Sequence, residues 1–148
     1  MTQTLTKEKI NTSRIIEDYL SEKKLVFYKR QEQNMDIFLI PYRITNKKIV
    51  VNINLYTFKD TDLCRMNFKY KLNTDDDFSK ELLDMNAKIV NGNLSVESNS
   101  NFVTFNTDFV LTKNSDINNL YTNVLYKCFL TLFELKEKNI IEIDTDEE

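Results

Sequence analysis

The side chains able to do chemistry in this 148-residue chain are few, and it contains no histidine. Histidine titrates near neutral pH and is the commonest metal ligand, so its absence argues against catalytic triads, zinc sites and most metal oxygenase sites. Two cysteines, Cys64 and Cys128, stand far apart with no CxxC spacing, which argues against a zinc ribbon or a redox dithiol. A reactive thiol needs a basic neighbour and exposure. Both cysteines fall on expected apolar faces, so buried free thiols are expected. The run Asp75, Asp76 and Asp77 could grip a hard cation, but it lacks the spaced ligands and the glycine of a calcium loop. It lies just ahead of an expected helix, where acids favour the helix start, and capping is the expectation. An enzyme built from Asp, Glu, Lys and Tyr alone finds no constellation here. No catalytic residue, cofactor or metal ligand is therefore assigned, and the chain is expected not to be an enzyme.

One strip of charge remains. Arg65, Lys69 and Lys71 alternate with Asn67, and Tyr56 and Phe58 lie nearby. Such a strip could hold phosphate or an acidic partner, with the aromatics stacking. The solvated face of an antiparallel strand gives the same pattern, and Lys discourages edge pairing. A net charge of −3 argues against broad attraction to nucleic acid, whose affinity comes largely from phosphate neutralisation.

The composition is that of a folded globule, with 41% hydrophobic and 29% charged residues. One Gly, one Pro and an abundance of Lys, Asn and Ile read as codon drift in an AT-rich genome. The length suits a single domain spanning residues 1–148. No segment approaches a membrane span and the first residues carry no apolar signal core, so a cytoplasmic location is expected.

Periodicity places the strip and the thiols on elements. Ile15, Ile16, Tyr19 and Leu20 recur at helical spacing, predicting a first helix over 11–24. Residues 25–30 and 35–42 predict two strands joined by a turn at 31–34, with Pro41 placing the second strand's end on an edge or a bulge. After a turn at 45–48, Ile49, Val51, Ile53 and Leu55 alternate with Asn52 and Asn54. From 63 to 72 the alternation is clearest: Cys64, Met66, Phe68, Tyr70 and Leu72 point one way, and the basic strip points the other. Phe78, Leu82, Met85, Asn86 and Ile89 predict a second helix, and Gly92 is expected to supply a left-handed exit from it. Strands over 93–97 and 102–111, joined by a hairpin at 98–101, precede a last helix from Ile117 to about Lys138, capped by Ser115 and Asp116. The chain ends in an acidic tail expected to fray.

The stretch Glu81-Leu-Leu-Asp-Met-Asn-Ala-Lys-Ile-Val-Asn-Gly-Asn-Leu-Ser-Val96 resembles the YbjN-like family of bacterial domains, within the type III secretion chaperone-like fold. The likeness lies in a Leu-Leu pair, an Asn ending the helix, a Gly before an alternating strand, then a hairpin strand and a long closing helix. It covers residues 12–138 by order of elements. The resemblance implies an α+β fold, a curved antiparallel sheet packed by three helices in the order α-β-β-β-β-α-β-β-α. It also implies a dimer acting as chaperone, adaptor or regulator, with no catalytic residues to carry over.

The expected function is thus a non-catalytic protein-binding module, chaperone- or adaptor-like and homodimeric, holding a protein client. The alternative is a nucleic-acid-binding or phage-type regulatory protein using the basic strand face. Tyr121, Leu125, Cys128, Phe129, Leu132 and Phe133 wrap too far around the last helix for one contact. With Ile117, Leu120, Val124 and Leu135 facing the sheet, Leu125, Phe129 and Phe133 are the candidates for a symmetric interface or client groove. Arg65 and Lys69 are the candidates on the sheet.

Overall fold

Asn11, in extended conformation, accepts a hydrogen bond from the Arg14 backbone N–H and so starts helix α1 (Thr12–Glu22). Its stripe of Ile16, Tyr19 and Leu20 is buried. In the computed structural model, which describes residues 11–43, 50–73, 77–96, 101–112 and 114–142, α1 leads into a meander of four strands. These are β1 (Tyr28–Gln31), β2 (Met35–Arg43), β3 (Val50–Phe58) and β4 (Leu63–Lys71). Helix α2 (Ser79–Asn86), strands β5 (Gly92–Val96) and β6 (Phe102–Val110), and helix α3 (Ile117–Glu137) complete the expected order. The six strands form one antiparallel sheet in the order β1-β2-β3-β4-β6-β5, an open α+β architecture. The expected turn at 45–48, Ile49, Asp75, Asp76, residues 97–100 of the second hairpin, the chain start and the acidic tail lie outside the described residues.

All three helices pack on one side of this sheet. Ile16 and Leu20 of α1, Leu82 and Met85 of α2, and Tyr121, Val124, Cys128, Leu132 and Leu135 of α3 share a single core with Phe38, Ile53, Met66, Phe68 and Phe105. That core takes alternate residues of β2, β3, β4 and β6, as the pleat requires, while all four residues of β1 are exposed. Pro41 pairs Asn52 of β3, and β1 ends opposite Leu39, so Pro41 lies on the stretch of β2 that β1 leaves uncovered. The missing donor therefore costs no ladder bond on that side.

The structure departs from expectation at three places. The first strand begins at Tyr28 and not at Leu25, because Lys24 turns left-handed (φ 59°) and the Leu25 N–H bonds back to Leu20. Asp77 precedes α2 without occupying its cap: its carboxylate accepts from Ser79 N–H and Oγ, and Phe78 stands at the cap position with no side-chain bond. Gly92 does not supply the left-handed residue. Asn91 does (φ 58°), and Lys24, Asp60 and Asn139 fill the other left-handed positions described. Asp and Asn tolerate this region because their short polar side chains bond locally.

Gly92 is small for a different reason. A Cβ there would meet the Phe105 ring at 2.9 Å and the Asn106 carbonyl oxygen at 3.0 Å. Gly92→Ala should therefore lower stability by about 1–3 kcal/mol through overpacking, read as a lower urea midpoint. An unchanged midpoint would mean that Phe105 has room to swing aside.

Candidate functional site

Because the three helices cover one side only, the opposite face of the sheet is open among the described residues, and the registers show what it presents. Asn54 pairs Asn67, Asn67 pairs Asn106 and Asn106 pairs Asn93, so four amides line up across four strands. Asn54 donates to Asn67 and Asn67 donates to Asn106, each at 3.1 Å. One row along, Ile37, Tyr56, Arg65 and Asp108 are neighbours. The next row pairs Met35 with Phe58 and Leu63 with Val110. Met35, Ile37, Leu39, Tyr56, Phe58 and Leu63 are each half-buried and lie outside the core.

The Arg65 guanidinium donates to both Asp108 carboxylate oxygens, at 2.7 and 3.1 Å. That hydrogen bonding raises the Arg65 pKa. Both side chains are two-fifths exposed, so solvent screening holds the pair to about 0–1 kcal/mol. Its larger effect is on charge, because Arg65 comes to the surface already neutralised. With Asn91, Gly92, Asn93 and Asn106 the pair lines a polar cleft of about 360 Å³. Lys69 is exposed on the same face.

The second surface is on α3. Leu125 and Phe129 are half-buried against the core. Phe129 meets the Tyr42 ring edge-on at 5.7 Å and Phe133 in a stack at 6.4 Å. Phe133 is 43% exposed, and the ridge continues through Leu130 (53%) and Tyr126 (62%). Sequence reasoning missed Tyr126 and Leu130, although their i, i+4, i+7 spacing with Phe133 places all three on one line of the helix. Leu130 and Phe133 border a cleft with Glu134, Lys136, Glu137 and Lys138. Since α3 packs on the covered side of the sheet, Leu125, Phe129 and Phe133 lie across the sheet from Arg65 and Lys69. The five candidates make two surfaces, not one.

Both cysteines and the tyrosines Tyr19, Tyr42 and Tyr121 are held in or against the core. Cys64 and Cys128 are fully buried, and burial pushes each thiol up to about 12. The Tyr42 and Tyr121 hydroxyls bond to one another, Tyr19 donates to Asn118 at 2.8 Å, and burial raises all three tyrosines. These hydroxyls join α1, β2 and α3, and they stay protonated. Buried Asp36 accepts from Ser13 Oγ at 2.6 Å beside a cleft of only about 40 Å³, the size of a water and not of a substrate. Among the described residues no group of three or more His, Cys, Asp or Glu could hold a metal ion, and no helix is long and apolar enough to cross a membrane. In comparisons with known proteins, no family model, curated protein or solved structure matches this chain.

Proposed function

We propose that the chain is a non-catalytic protein-binding module of chaperone or adaptor type, acting as a homodimer in the cytoplasm and holding a protein client on α3. The observation that carries this reading is the ridge on α3 in which half-buried Phe129 stacks on Phe133 and the exposed side chains of Leu130 and Tyr126 extend the same helix line. Aromatic and aliphatic side chains at such spacing are the anchors with which helical surfaces hold partners. An apolar ridge flanked by charged residues is also what marks an interaction site on an otherwise polar protein.

The test is capture of native partners by the immobilised chain, comparing wild type with Leu130→Glu/Phe133→Glu. The double variant should keep its circular dichroism and thermal midpoint, since both side chains are at least two-fifths exposed, and should lose the partners that the wild type retains. If it captures the same set, the ridge is not the holding surface. The nucleic-acid reading needs the basic face of β4, where Asp108 already occupies Arg65. A band shift in low-salt electrophoresis that disappears in Lys69→Glu/Lys71→Glu would favour that reading instead.

A further inference from the structure

We propose that the open face of the sheet, from Met35, Ile37 and Leu39 across Tyr56 and Phe58 to Leu63, is where a second copy of this chain packs, sheet against sheet. The inference rests on the homodimer reading and deepens it by naming the surface, leaving the α3 ridge for the client.

The extent of the face is the first argument. Four strands of nine residues, flanked by strands of four and five, at about 4.8 Å between strands and about 3.3 Å per residue, cover roughly 700 Å² in projection. A standard interface buries about 600–1,000 Å² on each partner, and the face reaches that size when its whole extent is covered. Sheets pack face to face in this way at about 10 Å separation.

Charge is the second argument, and it selects the occupant. Asp108 neutralises Arg65, and Glu32 lies 2.9 Å from Arg30. Arg43 and Lys71 stand at one end, paired in register with Val50 and Phe102. Lys69 stands one row nearer, beside the amides, so the rows from Met35 to the amides carry no net charge that would call for an acidic protein or a polyanion, and the basic side chains gather beyond them. The amide row offers donors and acceptors alike, and a like row on a second copy satisfies both. A symmetric interface requires that self-complementarity.

Sedimentation equilibrium of the full chain tests the proposal. The wild type should sediment at twice its 17.6 kDa mass. Ile37→Lys points away from the core and enters a symmetric interface twice, so association should weaken at least about 100-fold with the fold intact. Leu130→Glu on α3 should leave the dimer unchanged. A wild-type monomer at about 100 µM removes both this proposal and the homodimer reading. A dimer that survives Ile37→Lys but dissociates in Leu130→Glu overturns this proposal alone, as does one that survives both. Should Ile37→Lys fail to fold, Met35 of the wild type provides the measurement, because Met66 and Met85 are buried while Met35 is accessible. Its peroxide oxidation should slow several-fold between about 1 µM and about 100 µM protein. An unchanged rate overturns the proposal.

Discussion

Phe105→Ala should lower the unfolding free energy by about 3–5 kcal/mol, a large part of the ~5–15 kcal/mol that holds a domain together. Phe105 is fully buried on β6, between β4 and β5. Its ring lies 5.7 Å from that of Phe68, its partner in register, and opposite Leu94 on the other side. The same ring fills the space above Gly92. Removing it leaves a cavity that three strands border, and the sheet, fixed by its own hydrogen bonds, can close only part of it. Urea unfolding measures the loss. A cost below about 1.5 kcal/mol would mean that β5 and α2 collapse into the space. A double-mutant cycle separates the contact from the cavity: Gly92→Ala should cost less in a Phe105→Leu background, with a coupling of about 0.5–3 kcal/mol. Equal costs in both backgrounds would show that the ring is not what keeps residue 92 a glycine.

The period-two pattern of β4 was legible because its outward positions are Arg, Asn and Lys while its inward ones are Cys, Met and Phe. In β2 the run Ile37-Phe-Leu-Ile40 is apolar on both faces, so alternation could not say which face the helices cover. That choice is made by the helices, through contacts distant in sequence. The polar part of the open face, on β3 and β4, was thus legible, and its apolar part on β2 was not. The Arg65–Asp108 pair spans two strands adjacent in the sheet but separated in the chain by α2 and β5, and the basic strip read as more highly charged than it is. Gly92 was misassigned because a lone glycine after a helix carries the usual sign of a left-handed exit. In a chain with one glycine, Asn91 and Asn139 take such positions. The side chain of Asn86 likewise bonds both the N–H and the carbonyl of Leu94, at 2.6 and 2.9 Å, on the outer edge of β5. Helix exit was foreseen for this residue; its closing of a sheet edge was not, because that depends on where the chain returns.

Alkali should unfold the protein while its surface charges still favour solubility, and the buried thiols should set the steepness of the loss. In an unfolded chain Cys64 and Cys128 ionise near 9.0, whereas burial in the fold pushes both up to about 12. Below pH 9 the thiols are neutral in both states and cost nothing. Above it the unfolded chain releases protons that the fold retains, so stability falls as pH climbs from about 9 towards about 12. At about pH 11 each thiol removes roughly 2–3 kcal/mol, the two together about 5 kcal/mol, enough to unfold a domain of ordinary stability. Tyr121, raised by burial and by the neighbouring Tyr42, adds to the loss once the unfolded tyrosines begin to ionise. Urea midpoints from pH 7 to about pH 11 give the slope. Cys64→Ala/Cys128→Ala should start lower at neutral pH, having lost two packed side chains, and then decline more shallowly than the wild type. Parallel declines would mean that the thiols ionise alike in both states and that the core around them admits water. The same burial predicts that neither thiol reacts with a thiol reagent in the native protein at neutral pH, and that both react after unfolding in urea.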